Sequence, residues 1–528
     1  MVLLKHPLEQ NAMQSTNPFV VKFASSLIAV LGCQDRVIFK GHLPFSDEAH
    51  LNRFVDHTLR IKRTDFLDFA QEKAEILVTH AKGLPAQHDA PYEYLQGRHR
   101  KEDLVRQQIR DRRLCEGLVC VLCCQENCRT VKLRYGEGRP RLVFTWRPQR
   151  VLYFYFLDPQ FGLCHVRVQT WFPFTTQVYV NGHDWLARQL HAAGVGFVQH
   201  DNAFTQLDDP AKAQQLADGF PRLPWVKILD RWARQVNPLL AERWLQGKGY
   251  YWVIDQAEYS TDRLFRDRQA LADLYPQLLD HACLYFSAQD ILKFLGRRLH
   301  PRFDGEVLTE CKKDRWPGAR IKHRVKNHWL KMYDKFGQVL RIETVINNPP
   351  EFKVRRKVQR KGRWRMAWCP MNKGVANFYR YHEVACAAND RSLNALAIVA
   401  RPQASAKILD RVQRPVRLGR RRRRGRNLLR LQEQKLFRAV LRGEHHVNGF
   451  RNRDLQVLLF PAPVKDVAEQ RRRTAHVSRL LQLLRAHGLI AKAPRAHRYR
   501  GTTQGEAVMS AAVYARHKVF PQELQHVA

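Results

Sequence analysis

The spacing of apolar positions changes several times along the chain, and each change predicts a different kind of element. Residues 1–115 are predicted to be mainly helical after a first strand near Arg36–Lys40. Five apolar side chains in this region recur at helical spacing and would share one helix face: Phe66, Phe69, Ala70, Ala74 and Leu77. The apolar run Phe23–Cys33 is interpreted as a buried helix rather than as an export segment.

A different pattern begins near residue 116, in a region predicted to extend over 116–305. Runs rich in Val, Phe and Tyr, separated by turn signals, predict an antiparallel sheet over 117–182. Helical spacing returns from 184 to 300, with several prolines as breaks. On that helical pattern three acids would share one helix face as a candidate metal-binding patch: Asp255, Glu258 and Asp262. The alternative is a solvated face whose acids pair with nearby arginines.

Residues 306–410 are predicted to form a basic β-hairpin region with helices. Phe336-Gly337-Gln338 would be the tight turn between strands Trp329–Tyr333 and Val339–Ile346. Alternation along the first strand would send three side chains to one face: Lys331, Tyr333 and Lys335. Glu343 lies on the second strand, so one interpretation is a hairpin with Lys–Glu pairs across its strands and a buried tyrosine edge.

The same residues resemble a hairpin of plasmid and filamentous-phage rolling-circle replication initiators and related relaxases. The resemblance is in Tyr333-Asp334-Lys335 and Leu340-Arg341-Ile342-Glu343. It implies a nucleophilic Tyr333 supported by Lys331 or Lys335, with Glu343 as a further catalytic residue or metal ligand and Mg²⁺ or Mn²⁺ as cofactor. Those enzymes bind the metal through a His-hydrophobic-His strand, which this sequence lacks. The nearest strand places His165 and Gln169 on one face, and these join the acids at 255–262 as predicted metal ligands.

An arginine-rich linker is predicted over 411–430, where ten of the twenty residues are arginine. The remaining residues, 431–528, are predicted to form a further domain. Arg471-Arg472-Arg473-Thr474 begins a helix, and Gly488 ends it. Four apolar side chains at i, i+3, i+4 and i+7 would form the buried face of this helix: Val477, Leu480, Leu481 and Leu484.

Two short strands, Leu489–Ala491 and Arg498–Arg500, are predicted after that helix, around a basic turn. Thr502 and Gly505 begin a last helix. This order of elements is typical of a winged helix, and residues 430–520 resemble bacterial regulators of the multiple-antibiotic-resistance type. The resemblance implies DNA binding through the basic helix and the basic turn. The alternative is a winged helix that makes protein contacts only.

The charge balance indicates a polyanionic partner. Lysine and arginine number 90 against 49 acidic residues, a formal net charge of +41. DNA is therefore the expected partner, and RNA is an alternative because Arg363-Trp364-Arg365 offers a stacking surface for bases. The side chains expected to bind nucleic acid are Arg420, Arg421, Arg422, Arg423, Arg424, Arg473, Thr474, His476, Arg479, Arg495 and Arg498.

Apolar segments of membrane-spanning length do not occur, so no membrane partner is expected. Eleven cysteines at irregular spacing fit the reducing cytoplasm. The sequence predicts a multidomain α+β protein with mixed or antiparallel central sheets, helical segments and a C-terminal winged helix. Three functions stay open at this point. They are a non-catalytic DNA-binding protein with a regulatory role, a metal-dependent DNA-nicking or strand-transfer protein of a mobile element, and an RNA-binding scaffold.

Overall fold

The computed structural model describes residues 17–45, 47–96, 100–245, 247–298, 303, 305–312, 319–360, 362–397, 399, 406–418, 421–464, 466–494 and 496–521. Its helices are α1 (Pro18–Lys22), α2 (Glu48–Phe54), α3 (Phe66–Gln87), α4 (Lys101–Asp111), α5 (Gly182–Ala192), α6 (Pro210–Ala217), α7 (Trp225–Val236), α8 (Arg268–Tyr285), α9 (Ala288–Phe294), α10 (Phe378–Leu396), α11 (Ala406–Gln413), α12 (Leu431–Val440), α13 (Gly443–Asn448), α14 (Asn452–Leu459), α15 (Val467–Ala486) and α16 (Thr503–Tyr514).

Its strands are β1 (Leu27–His42), β2 (Tyr92–Tyr94), β3 (Gly117–Arg134), β4 (Arg141–Asp158), β5 (Gly162–Gln169), β6 (Thr176–Asn181), β7 (Phe197–His200), β8 (Ala203–Leu207), β9 (Tyr251–Phe265), β10 (Val307–Lys312), β11 (Arg320–Val325), β12 (His328–Lys335), β13 (Val339–Ile346), β14 (Lys353–Arg360), β15 (Arg363–Pro370), β16 (Val416–Leu418), β17 (Arg421–Arg423), β18 (Ile490–Lys492) and β19 (Tyr499–Gly501). Helices and strands with both parallel and antiparallel pairing confirm the predicted α+β class.

The backbone packs into two compact units, and each unit is assembled from segments that are separate in the sequence. The first unit consists of Met1–Val30, Asp262–Thr344 and Cys386–Ala528. The second consists of Leu31–Thr261 and Val345–Ala385. The division of the chain into five contiguous regions stays a prediction.

The second unit contains the antiparallel sheet that was predicted over 117–182. Its strand order is β1-β6-β5-β4-β3-β2, and β2 is the strand that pairs in parallel. The longest pairing joins β3 to β4, from Leu118 opposite Phe156 to Arg134 opposite Arg141. β-Branched and aromatic side chains are stiff and fit a pleated surface, which is why the Val-, Phe- and Tyr-rich runs form these strands.

Two helix predictions are wrong. Within Phe23–Cys33 the backbone enters β1 at Leu27, because a short apolar run fits a buried strand as well as a buried helix. Within 184–300, helices α5 to α9 confirm the helical pattern, but Tyr251–Phe265 is strand β9. From residue 257 to residue 265 every side chain of β9 is buried, polar ones included, so this part of the strand lacks an alternating pattern of exposed residues.

In the first unit, β10, β11, β12 and β13 lie in sequence order, and β11 pairs antiparallel with both β10 and β12. Phe336 and Gly337 have φ angles of 59° and 69°, and the Gln338 amide donates to the Lys335 carbonyl at 3.1 Å. Positive φ at both central residues is the geometry of a tight hairpin turn, which confirms the predicted turn. The helices predicted within 306–410 are confirmed by α10 and the start of α11 in the described parts of that range.

One apolar core runs through the first unit. It includes side chains from α1, α8, β13, α12, α15 and α16, among them Phe19, Leu271, Ile342, Phe437, Leu484 and Met509. The C-terminal helices therefore share a core with residues far upstream in the sequence. Among the described helices, none combines enough length and apolar character to span a lipid bilayer.

Candidate nucleic-acid interface

The C-terminal elements follow the order expected from the sequence. Asp466 accepts a hydrogen bond from the Glu469 amide at 2.6 Å and so caps α15. Gly488, with φ of 69°, follows the helix end. β18 and β19 then pair antiparallel, and Thr502 caps α16 by accepting from the Gly505 amide at 2.9 Å. The predicted helix, hairpin and helix are thus confirmed as elements.

α15 has two opposite stripes of side chains. Val477, Leu481 and Leu484 are buried in the core of the first unit. Arg472, His476 and Arg479 recur at the same helical spacing and are exposed. The helix therefore presents basic side chains to solvent along the face opposite its apolar stripe.

Arg473 belongs to the protein interior rather than to this exposed stripe. Its side chain is 12% exposed, and its Nη1 donates to the Ala462 carbonyl at 2.6 Å. Its Nε donates to Glu469 at 3.1 Å, one helical turn earlier. The neighbouring Thr474 is exposed, and its hydroxyl donates to the Gln470 carbonyl at 2.9 Å. Arg473 therefore already has partners inside the protein, and its nucleic-acid contact stays a prediction.

The β18–β19 hairpin contributes further basic side chains. Lys492 and Arg500 are exposed, and Arg498 is half-buried with its Nη1 donating to the Asn448 carbonyl at 2.8 Å. Arg495, which was also predicted to bind nucleic acid, lies outside the described residues.

Arg498 and Arg500 also line a cavity of about 780 Å³ inside the first unit. The basic side chains around this cavity are Lys293, Arg297, Arg298, Arg391, Arg442, Arg451, Arg453, Arg498 and Arg500. Its acids are Glu444, which pairs with Lys293, and Asp454, which accepts from the Arg451 amide at 2.7 Å. The lining of the cavity therefore carries an excess of positive charge, and it lies beside the β18–β19 hairpin. Its residues are scattered over 200 positions of sequence, so no local pattern could have identified it.

The arginine run is partly structured. Arg420 lies outside the described residues, and Arg421 belongs to β17, which pairs with β16 from Val416 opposite Arg423. Arg423 Nη2 donates to Gln482 at 3.1 Å, while Arg422 and Arg424 are exposed. The described part of the predicted linker thus includes the end of α11 and a short hairpin, because backbone pairing does not require apolar side chains.

The predicted catalytic residues do meet on the β12–β13 hairpin. Tyr333 Oη donates to Glu343 Oε2 at 2.6 Å, and Lys331 forms an ion pair with Glu343. Glu343 is 1% exposed, and Lys335 is buried with its Nζ 5.4 Å from the centre of the Phe336 ring. A buried carboxylate that holds both a lysine and a tyrosine is the cross-strand pairing expected for a structural hairpin.

His165 and Gln169 do not form a metal site. His165 is stacked 5.0 Å from Tyr179, and burial, together with the charges of Lys101 and Arg167, lowers the pKa of His165 to about 3. The side chain of Gln169 donates to the Arg129 carbonyl at 2.9 Å and accepts from Thr175 at 2.9 Å. Both side chains are therefore used in packing the second unit, and they do not fit the role of metal ligands.

The three acids of the predicted helix face lie on β9, so they do not share a face. On a strand, Glu258 and Asp262 point to one side and Asp255 points to the other. Asp255 is partly exposed near Lys373, at 3.8 Å, and Glu258 accepts from Arg36 at 2.7 Å. Both oxygens of Asp262 are bound by Arg341. The predicted metal patch is therefore wrong as a helical arrangement, and its members are engaged by basic side chains.

One exposed surface of the second unit was only partly anticipated. The hairpin of β14 and β15 presents Trp364, Met366 and Trp368, which are 67%, 49% and 46% exposed. The sequence could have indicated this basic surface, since the segment 353–370 contains no acidic residue.

Comparison with known proteins gives little guidance. No family model and no curated protein matches the chain. Among solved structures, the crystal structure of the di-domain ARO/CYC BexL from the BE-7585A biosynthetic pathway matches with 11% identity and a TM-score of 0.15. That match covers 50% of this chain and 81% of the other, and its TM-score is too low to indicate a common fold.

Proposed function

We propose that this chain is a non-catalytic DNA-binding protein that contacts duplex DNA through α15 and the β18–β19 hairpin. The observation on which the proposal depends is the exposed stripe of Arg472, His476 and Arg479, opposite the buried apolar stripe of the same helix. A helix that is anchored on one face and basic on the other suits insertion into the major groove.

The surroundings of α15 support this proposal. Lys492 and Arg500 on the hairpin provide cations for the DNA backbone, and the nearby basic cavity adds Arg297, Arg298 and Arg453. The net charge of +41 favours a polyanionic partner over a protein partner of average charge.

The test is duplex binding by the double variant R472Q/R479Q, measured by fluorescence anisotropy at fixed salt. The expected result is a loss of about 10-fold or more in affinity, since a good base or phosphate contact contributes about 1–3 kcal/mol. The matched control is R266Q/R268Q, which removes two exposed arginines from the same unit. Equal losses in both variants, or none in R472Q/R479Q, would contradict the proposal.

A second candidate function is DNA nicking with Tyr333 as nucleophile. The hydrogen bond from Tyr333 to Glu343, at 2.6 Å, favours it because the carboxylate is placed to accept the phenolic proton when the oxygen attacks phosphorus. Of the metal ligands that the sequence spacing suggested, His165, Gln169 and Asp262 contact other protein groups. The support for this candidate is therefore the tyrosine and its carboxylate.

A further inference from the structure

The β14–β15 hairpin has two different faces. Register pairs Arg355 with Trp368, Lys357 with Met366 and Gln359 with Trp364, and directly opposed residues project to the same side. These side chains are exposed. On the other side, Val354 and Cys369 are buried and anchor the base of the hairpin. The hairpin thus presents one continuous aromatic and basic face.

The charge of this hairpin is of one sign. The described basic residues of the segment are Lys353, Arg355, Arg356, Lys357, Arg360, Arg363 and Arg365, and the sequence 353–370 has no aspartate or glutamate. The Arg380 guanidinium lies 5.5 Å from the centre of the Trp368 ring and pairs with Glu383 at 2.6 Å. Large exposed aromatic rings are uncommon on a surface that has no partner.

We propose that this hairpin is a binding site for single-stranded nucleic acid, in which Trp364 and Trp368 stack on bases and the cations of the same face bind phosphates. The two rings are four residues apart on one strand, which corresponds to about 13 Å. A duplex keeps its base faces stacked inside, whereas a single strand leaves them free to stack on aromatic rings. The site is separate from the proposed duplex surface on α15 and does not depend on it.

An anionic membrane is the competing partner for tryptophan and arginine side chains. In a membrane-binding hairpin, the rings would cluster at an apolar tip and the cations would flank it. Here Arg355 and Lys357 lie directly opposite Trp368 and Met366, in the middle of the aromatic face. Cations interleaved with rings match the alternating phosphates and bases of a nucleic-acid strand.

The experiment compares the full chain with the variants W364A/W368A and W364F/W368F. Labelled oligonucleotides of about 20 nucleotides, an oligo(dT), an oligo(U) and a duplex, are titrated and followed by anisotropy. W364A/W368A is expected to bind the single strands more weakly by a factor of about 30 or more, because two stacking rings are removed and each contributes about 1–3 kcal/mol per base. W364F/W368F keeps aromatic rings and should retain most of the affinity. Tighter binding of oligo(dT) would indicate single-stranded DNA as the partner, and tighter binding of oligo(U) would indicate RNA.

The matched control is W146A, since Trp146 is 65% exposed in the same unit but lies on β4. Its single-strand affinity should match that of the unaltered chain. Unaltered single-strand affinity in W364A/W368A, or an equal loss in W146A, would overturn the proposal. Phosphatidylserine vesicles are titrated in parallel. A loss of vesicle binding in W364A/W368A with no loss of single-strand binding would also overturn the proposal. Failure of the α15 proposal would instead appear as unchanged duplex binding in R472Q/R479Q, so the two results are distinguishable.

Discussion

Arg341 and Asp262 form a buried, two-pronged ion pair between neighbouring strands β13 and β9. Arg341 Nε and Nη2 donate to the two Asp262 oxygens at 2.7 and 2.6 Å, and the side chains are 0% and 1% exposed. Parallel hydrogen bonds between a guanidinium and a carboxylate are stronger and more directional than bonds between neutral groups. The pair therefore fixes the relative position of the two strands at this point of the first unit.

Replacing Asp262 with asparagine should destabilise the protein strongly. The substitution removes the carboxylate charge that the buried Arg341 guanidinium binds with two hydrogen bonds, and breaking a buried ion pair in this way typically costs about 3–5 kcal/mol. Urea unfolding of the variant should show a lower midpoint at an unchanged slope. D255N is the control, because Asp255 is partly exposed and 3.8 Å from Lys373, and its free energy of unfolding should change by less than about 1 kcal/mol. Similar midpoints for D262N and the unaltered chain would contradict this role.

Arg473 and Arg472 are adjacent, and their substitutions should have opposite consequences. R473A removes hydrogen bonds to Glu469 and to the Ala462 carbonyl, so it should lower the free energy of unfolding by about 1–3 kcal/mol. R472A removes an exposed side chain and should leave stability nearly unchanged while weakening duplex binding. Thermal unfolding and anisotropy on both variants measure the two effects. The assignment fails if R473A is as stable as the unaltered chain and binds duplex more weakly than R472A.

The nicking function predicts a covalent product. The phenolic oxygen of Tyr333 would displace a DNA hydroxyl from phosphorus, and Glu343 would take the phenolic proton. With labelled single-stranded DNA and Mg²⁺ or Mn²⁺, the unaltered chain should then form a phosphotyrosine adduct on a denaturing gel. Y333F lacks the hydroxyl, so it should form none while it keeps DNA binding. DNA binding by the unaltered chain with no adduct in either metal would leave the non-catalytic function.

Stability should fall between pH 6.5 and pH 4 because several histidines are buried. Burial lowers the pKa to about 3 or about 4 in six described cases: His42, His165, His281, His323, His382 and His445. These groups have a pKa near 6.5 in the unfolded chain, so below that pH the unfolded state binds more protons than the folded state. Their contribution is therefore fully present above pH 6.5 and decreases as the pH falls.

Melting temperatures measured from pH 7 to pH 4 test this expectation. Asp184 opposes this trend in part. Burial raises its pKa to about 6, so as the pH falls the folded state binds a proton at Asp184 before the unfolded state does, which favours the folded state. H445Q is the informative variant, because an amide retains a donor for the Ala439 carbonyl, which His445 Nδ1 contacts at 2.7 Å. Its stability should depend less steeply on pH than that of the unaltered chain. A flat profile from pH 6.5 to pH 4 would refute the prediction.

The parts of the fold that the sequence predicted well are those governed by local chemistry. α15 was recognisable because its apolar side chains repeat at helical spacing and Gly488 follows it. The β12–β13 turn was recognisable because Gly337 permits a positive φ. Strand β9 was not recognisable, because its buried polar side chains depend on distant partners. Asp262, for example, is paired with Arg341, which lies 79 positions later in the sequence.

The candidate nucleic-acid interface could also be predicted only in part from the sequence. Basic residues on α15 were predicted from the sequence, yet helical spacing alone could not distinguish Arg472, which is exposed, from Arg473, which is held by Glu469. The difference depends on the loop that contains Ala462, whose carbonyl accepts a hydrogen bond from Arg473. Contacts of this kind are set by tertiary structure, as is the cavity lined by Arg498 and Arg500.

The interleaved segments of the first unit delay its folding during synthesis. Phe19 is fully buried in a core whose other buried members, apart from Leu27, come from segments beyond residue 261, such as Leu271 and Phe437. A ribosome adds about 5–20 residues per second, so synthesis of residues 31–261 alone takes roughly 10–50 s. Throughout that interval Phe19 has none of these partners, and chaperones have access to it. The second unit has most of its residues by then, so the nascent chain passes through a stage in which one unit is largely synthesised and the other has only its first segment.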